Sequence, residues 1–144
     1  MFTVRPEGFN SEVRALLEAV GLPVSDLERG VPVALFGVRQ GGRLVGVVGV
    51  EVHRNVGLLR SLAVVPDAAG GGIGRTLVEA AEDWASDSGL EALYLLTTTA
   101  SGWFEQRGYE ALPRTAAPPG ISDSAEFRSL CPDTAVFMGK RLAS

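Results

Sequence analysis

Four glycines in five positions, Gly70, Gly71, Gly72 and Gly74, separate an apolar run from an amphipathic one. The apolar side is Leu62, Ala63, Val64 and Val65, closed by Pro66 and Asp67; the amphipathic side opens at Ile73. Strand, glycine loop and helix start make a recipe for holding phosphate. Glycines let backbone N–H groups come close to an anion, and the first helical turn leaves such donors unpaired with the helix dipole behind them. Two familiar glycine codes do not fit. A Walker loop needs Lys and then Ser/Thr after its last glycine, whereas Gly74 is followed by Arg75 and Thr76. A dinucleotide fingerprint needs a third glycine three residues after the second, where this chain has Arg75 or Leu77.

The elements that must position this loop follow from periodicity and punctuation. Phe2–Arg5 reads as a short strand closed by Pro6, and Asn10 or Ser11 can cap a helix running through Val20 to a stop at Gly21. Pro23–Gly30 is a short helical or turn segment. Strands Pro32–Arg39 and Arg43–His53 are joined by the hairpin signal Gln40-Gly41-Gly42, and Arg54-Asn55 turns the chain into a fourth strand, Gly57–Val65. In the long helix Ile73, Leu77, Ala80, Ala81, Trp84 and Ala85 share one face, with Arg75, Glu79, Glu82, Asp83 and Asp87 on the other. A fifth strand, Leu90–Thr97, is parallel to the fourth because a helix connects them. Thr99–Arg107 is a short helix and Tyr109–Pro113 begins another strand. A further helix is expected with Asp123 as its cap, Glu126 three residues on and Pro132 beyond its end; Ala135–Leu142 is the last strand.

Bulk properties narrow the class. A chain of 144 residues, 46% apolar, suits one domain over 1–144 with one core. A net charge of −4 and no Lys/Arg cluster argue against nucleic acid as a partner. The single cysteine excludes an internal disulfide and fits a reducing compartment. No apolar run approaches the ~20 residues that span a bilayer, and Met1-Phe2-Thr3-Val4-Arg5 lacks the parts of a secretion signal. The expectation is a cytoplasmic protein without a membrane partner and without a metal.

Val64 to Leu77 fits the pattern V-x-P-x-x-R/Q-G-x-G-I/L-G-x-x-L, with Ala69 in place of the Arg/Gln. This resembles the acetyl-CoA signature of the GCN5-related N-acetyltransferases (GNAT). A second frame common in that family, N-x-x-A-x-x-L/F-Y-x-x-x-G-F/Y, stands here from Thr97 to Tyr109, with Thr97 for Asn and Phe104 for Tyr. The stretch LLTTTASGWFEQRGY and the tail Glu126-Phe127, Leu130-Cys131-Pro132 and Ala135–Met138 are similar to a bacterial and archaeal branch of arsenic-resistance N-acetyltransferases. They are also similar to the acetyltransferase domain of N-acetylglutamate synthase. The resemblance implies a mixed α/β GNAT fold: a six- to seven-stranded sheet splayed between strands 4 and 5, with helices on both faces. It implies acetyl-CoA as acetyl donor, a small amine or amino acid as acceptor, and allows a homodimer. Rival functions are a non-catalytic acyl-CoA sensor, suggested by Ala69, Thr97 and Phe104, and an acetyltransferase acting on a protein amine.

Carried over residue by residue, the resemblance has backbone groups of Leu62, Ala63 and Val64 pairing with the pantetheine arm, one of them holding the thioester oxygen. Gly70, Gly71, Gly72, Ile73, Gly74 and Arg75 wrap the pyrophosphate, Arg75 and Arg107 are either partners for the remaining phosphate or solvated helix-face charges, and Thr97 and Phe104 border the coenzyme. The acceptor amine must lose a proton before it attacks, and a carboxylate is the usual device. Glu51 is the candidate, two residues from His53 and on the same strand face; the alternative puts both on a solvent-facing side. Arg60 shares a strand face with Leu62 and Val64 in regular alternation. It suits either an acidic acceptor or a structural ion pair with Glu51. Thr98 can add a hydroxyl contact to the acceptor. Tyr94, Tyr109 and Cys131 are possible stand-ins for the missing acid, and none is assigned to that role.

Overall fold

The computed structural model describes residues 2–130 and 134–142. Its strands are β1 (Val4–Glu7), β2 (Ala34–Gln40), β3 (Arg43–His53), β4 (Val56–Val64), β5 (Ala92–Thr97), β6 (Glu110–Leu112) and β7 (Val136–Arg141). They form one sheet in the order β1-β2-β3-β4-β5-β7-β6. Neighbours are antiparallel except β4 and β5, which run parallel across the connecting helix. The β2–β3 hairpin turns at Gly41 and Gly42, both at positive φ, as a tight turn between right-twisted strands requires.

Helix α1 (Ser11–Ala19) starts where expected: the Asn10 side chain accepts the Val13 N–H at 2.9 Å. The short α2 is Ser25–Glu28. The long α3, Ile73–Asp87, buries Ile73, Leu77, Val78, Ala81 and Ala85. A Cβ on Gly46 of β3 would strike Ile73 and Leu77, so the strand needs glycine there to let α3 lie close. On the same strand the ring of His53 packs against Gly120, in α5 (Pro119–Ser122). Gly46 and His53 are seven residues apart, so they point to opposite sides of the sheet. Helices therefore cover both faces.

Helix α4 is Ser101–Glu105, within the expected segment. The tail differs in detail. Asp123 follows the last residue of α5 as its C-cap. The next turn, a π-helical one over Glu126–Leu130, is capped instead by Ser124, whose hydroxyl accepts the Phe127 N–H at 3.3 Å. Two serine and aspartate candidates one residue apart offer the same capping chemistry, and the chain's exit from α5 selects between them. Cys131 and Pro132 lie outside the described residues. No helix among those described is long and apolar enough to cross a membrane.

Candidate active site

β4 and β5 pair only at Val56–Ala92, Gly57–Leu93 and Leu58–Tyr94. Beyond Leu58 the strands part. Backbone groups from Leu59 to Val64 on the β5 side, and of Leu95 to Thr97 facing them, are left without a strand partner there. Unpaired backbone donors and acceptors along a sheet edge are a template for an added extended chain. The gap is a cleft of about 630 Å³ walled by Leu59 to Val64, Leu95 to Ala100, Phe104, Glu126 and Ala135, with Val20 to Pro23 at its border. Leu62, Ala63, Val64, Ala100 and Phe104 continue into a second groove. That groove runs past Ala69, Gly70, Gly72, Ile73, Gly74 and Arg75 to Trp103 and Arg107.

Within the parted stretch β4 carries a bulge. Val47 pairs with Ala63 but Gly49 with Arg60, so β4 carries one residue more than β3 across this step. Ser61 takes it up at φ +58°, in the left-handed region. The extra residue reverses the alternation. Arg60 pairs opposite Gly49 and Val64 opposite Gly46, three residues apart on β3, so the two side chains lie on opposite faces. The sequence expectation that Arg60 shares a face with Leu62 and Val64 assumed unbroken alternation and is corrected by this bulge.

At the loop, Gly70 and Gly72 have φ of +85° and +90°, and a Cβ on Gly70 would meet nothing within 4 Å. Gly72 is the N-cap of α3 and no side chain caps that end, so the first-turn N–H groups face the groove with the helix dipole behind them. Arg107 lies over the Trp103 ring at 3.6 Å and donates to the Trp103 carbonyl at 2.8 Å. Its Nε–H is buried and has no partner among the described residues, and a buried donor left unmade is costly. Arg75 is exposed and pairs loosely with Glu79 one turn on. An uncapped helix end, an open glycine turn and an orphaned guanidinium N–H along one groove fit a diphosphate ligand. Gly70 to Arg75 and Arg107 would hold it.

The expected polar residues are placed as follows. Thr97 accepts the Ala100 N–H on its hydroxyl at 3.0 Å, fixing the turn into α4. Thr98 lies in the cleft wall. Phe104 is buried, edge-on to Trp103 and Tyr109, with its ring at the junction of the two grooves. Tyr94 stacks on Phe137 and Tyr109 donates to Glu82 at 2.9 Å; neither borders the cleft. Glu51 is 4% exposed, so the solvent-facing alternative for it does not hold. Its carboxylate accepts from Arg60 at 3.0 Å and lies 2.6 Å from His53 Nε2.

Arg60 is the centre of a buried ionic cluster. Its guanidinium makes a two-pronged pair with Asp26, donates to Glu51 and to the Ser61 hydroxyl, and comes within 3.6 Å of Glu126. Asp26 and Glu126 are the members that sequence reasoning missed. Asp26 sat in a short turn segment with no periodicity, and Glu126 read only as a capping residue. The one available signal was the rarity of Arg60 inside an apolar strand, which demands buried counter-charges. Burial raises the Asp26 pKa, but the Arg60 hydrogen bond and charge outweigh it and hold the carboxyl below its usual range. For Glu126 burial prevails. Reinforced by Asp26 and Glu51 and opposed by Arg60, it pushes the carboxyl up to about 7.

Known proteins place this geometry. The Neisseria gonorrhoeae N-acetylglutamate synthase, solved with coenzyme A and N-acetyl-glutamate, superposes over 100% of this chain and 36% of its own, with TM-score 0.82 at 20% identity. Rv2747 of Mycobacterium tuberculosis, solved in complex with CoA, superposes over 98% of this chain and 99% of its own, with TM-score 0.78 at 23% identity. An uncharacterized N-acetyltransferase of Chlorobaculum tepidum is 33% identical over 81 residues, 56% of this chain and 52% of that protein. A Pseudomonas fluorescens amino-acid acetyltransferase is 43% identical over 56 residues, 39% of this chain but 13% of that protein. The chain thus spans about half the length of the first of these sequence relatives and far less of the second. The model of the Acetyltransferase (GNAT) family matches residues 7–109; with the splayed β4–β5 pair and the glycine turn at α3, the chain belongs to that family.

Proposed function

We propose that the chain transfers the acetyl group of acetyl-CoA to the primary amine of a small, amino-acid-like acceptor by direct attack in a ternary complex. The observation that carries this reading is the continuity of two features: the unpaired β4 edge from Leu59 to Val64 and the uncapped N-terminus of α3 line one connected groove. The pantetheine arm pairs with the backbone of Leu62, Ala63 and Val64, which lays the thioester in the cleft. A backbone N–H there stabilises the tetrahedral oxyanion; such a donor is worth roughly 3–4 kcal/mol in other enzymes. Gly70 to Arg75 and Arg107 hold the phosphates. The acceptor enters between Val20 to Pro23 and the Glu126 turn, a bordered opening that suits a small molecule better than a protein segment.

The acceptor class draws support from the amino-acid acetyltransferases among the sequence relatives; the similarity of the tail to the arsenic-resistance branch is compatible with the same class. Free-thiol release from acetyl-CoA across a panel of amino acids and simple primary amines tests the reading. Acceptor-dependent release is the expected result. Tight coenzyme A binding with no such release would favour the sensor reading, to which Phe104, in place of an acid at the groove junction, lends its one specific observation.

A further inference from the structure

We propose that Glu126 receives the acceptor: its carboxylate docks the incoming ammonium in the β4–β5 cleft and takes the proton that must leave before nitrogen can attack. This rests on the transferase reading above and adds to it the residue that meets the amine and the charge the acceptor must carry there.

Three carboxylates surround the one guanidinium of Arg60, and they are not equivalent. Asp26 is fully buried and engages Arg60 with both oxygens. Glu51 is held between Arg60 and His53. Neither borders the cleft; Glu126 does, and with Arg60 it is the charged pair in the wall among the described residues. Arg60 has spent its close contacts on Asp26, Glu51 and Ser61, and stands 3.6 Å from Glu126. That separation keeps the carboxylate near a cation without a full hydrogen bond. Glu126 is itself 5% exposed, a buried carboxylate with an oxygen to offer a ligand.

The charge balance of the cluster also favours a cation beside Glu126. Arg60 carries one positive charge against Asp26, Glu51 and Glu126, and protonation of His53 would add one more. With all carboxylates ionised the cluster is short of positive charge, and an ammonium beside Glu126 supplies it. The charged groups facing Glu126 are Arg60, Asp26 and Glu51. Their balance with burial places its titration near neutrality, where a general base combines availability with driving force. Arg60, with four of its five N–H donors engaged by Asp26, Glu51 and Ser61, acts here as a positioning residue.

An N–H bond of the ammonium breaks and its proton passes to the Glu126 carboxylate. The freed lone pair forms the C–N bond at the thioester carbonyl carbon, giving the oxyanion. Collapse breaks the C–S bond, and the second nitrogen proton neutralises the departing thiolate. Glu126 then returns its proton to solvent, so each turnover yields amide, coenzyme A and one proton.

The test compares wild type, Glu126→Gln and Glu51→Gln in acceptor-dependent coenzyme A release as a function of pH. Wild-type kcat/KM should climb about tenfold per pH unit on the acid side and level off above about 7. Glu126→Gln should lose that limb and fall by roughly 10²–10⁴-fold, with calorimetric affinity for coenzyme A unchanged. Glu51→Gln should slow the reaction by loosening Arg60 yet keep the limb. A Glu126→Gln enzyme that retains both rate and limb overturns the proposal. An arm independent of turnover uses glycinamide as the probe with coenzyme A bound. The carboxyl carbon resonance of Glu126, assigned by its absence in Glu126→Gln, should shift on adding glycinamide and titrate at lower pH, because a neighbouring cation favours the anion. A resonance that ignores glycinamide also overturns it. Wild type that binds coenzyme A yet releases none with any amine defeats the transferase reading instead, and the resonance arm still decides whether Glu126 docks an ammonium.

Discussion

Arg60 and Arg107 show how differently two guanidinium groups serve one groove. Arg60 has a fully buried side chain whose hydrogen bonds end on Asp26, Glu51 and Ser61. Truncating it strands Asp26 and Glu51 as buried charges, and breaking a buried pair from one side typically costs about 3–5 kcal/mol. Arg60→Ala should lose stability of that order in urea unfolding, with a lowered midpoint. Arg107 is half-committed: its ring contact and its bond to the Trp103 carbonyl fix its direction, while its Nε–H is left over. Hydrogen bonds to a charged group are worth about 1.5–3 kcal/mol. Arg107→Ala should therefore raise KM for acetyl-CoA by about tenfold or more while leaving kcat close to wild type, as steady-state kinetics with varied acetyl-CoA would read.

At the scale of elements, two left-handed backbone positions shape the site. Ser61 takes up the extra residue of β4 and reverses its alternation against β3, and already from Leu59 onward the strand edge toward β5 is free. Gly72 begins α3 at φ +90°, where the nearest neighbour of an added Cβ is the Phe2 ring at 4.0 Å. Space is available there, so conformation is what forbids a side chain. A left-handed turn costs an ordinary residue roughly 1–2 kcal/mol, and a branched one resists it more. Gly72→Val should swing the loop out of this conformation and raise the Kd for coenzyme A by at least about tenfold, the equivalent of ~1.4 kcal/mol. Calorimetry on the folded variant measures it; an unchanged Kd would remove the glycine turn from the coenzyme site.

For the whole molecule, the buried cluster sets the dependence of stability on pH. Three carboxylates are held below their ordinary values: Glu7 chiefly by its hydrogen bond to Arg39, the exposed Asp67 chiefly by its hydrogen bond to Arg43, and Asp26 by Arg60 in spite of burial. Groups of this sort contribute stability above the unfolded pKa and lose it as pH falls through the folded one. Glu126 works in the opposite sense. Its folded value near 7 lies above the ordinary 4.5, so the folded state binds the extra proton between those values. The stability it confers is complete below about 4.5 and is lost as pH rises through about 7. A shift of that size corresponds to something on the order of 3 kcal/mol. Thermal melts should accordingly show the midpoint declining from pH 5 to 8, and Glu126→Gln should flatten that decline. On the acid side both proteins should lose stability together as Asp26 and Glu7 protonate.

The order of elements, the parallel β4–β5 pair, the glycine turn and the Asn10 cap were all legible in the chain, because each depends on neighbours close in sequence: periodicity, turn residues, helix starts. The second groove was legible for the same reason, since most of the residues from Leu62 to Arg75, one continuous stretch, lie along it. The ionic cluster around Arg60 was not. Asp26 and Glu126 stand 34 and 66 positions from Arg60 on either side of it, and the bulge at Ser61 turned Arg60 away from the face that regular alternation assigned to it. Burial of a charge is decided by what folds over it. Local sequence therefore specified where a phosphate could be held, while only the assembled sheet, with α2 and the Glu126 turn meeting over Arg60, decided which carboxylate faces the cleft.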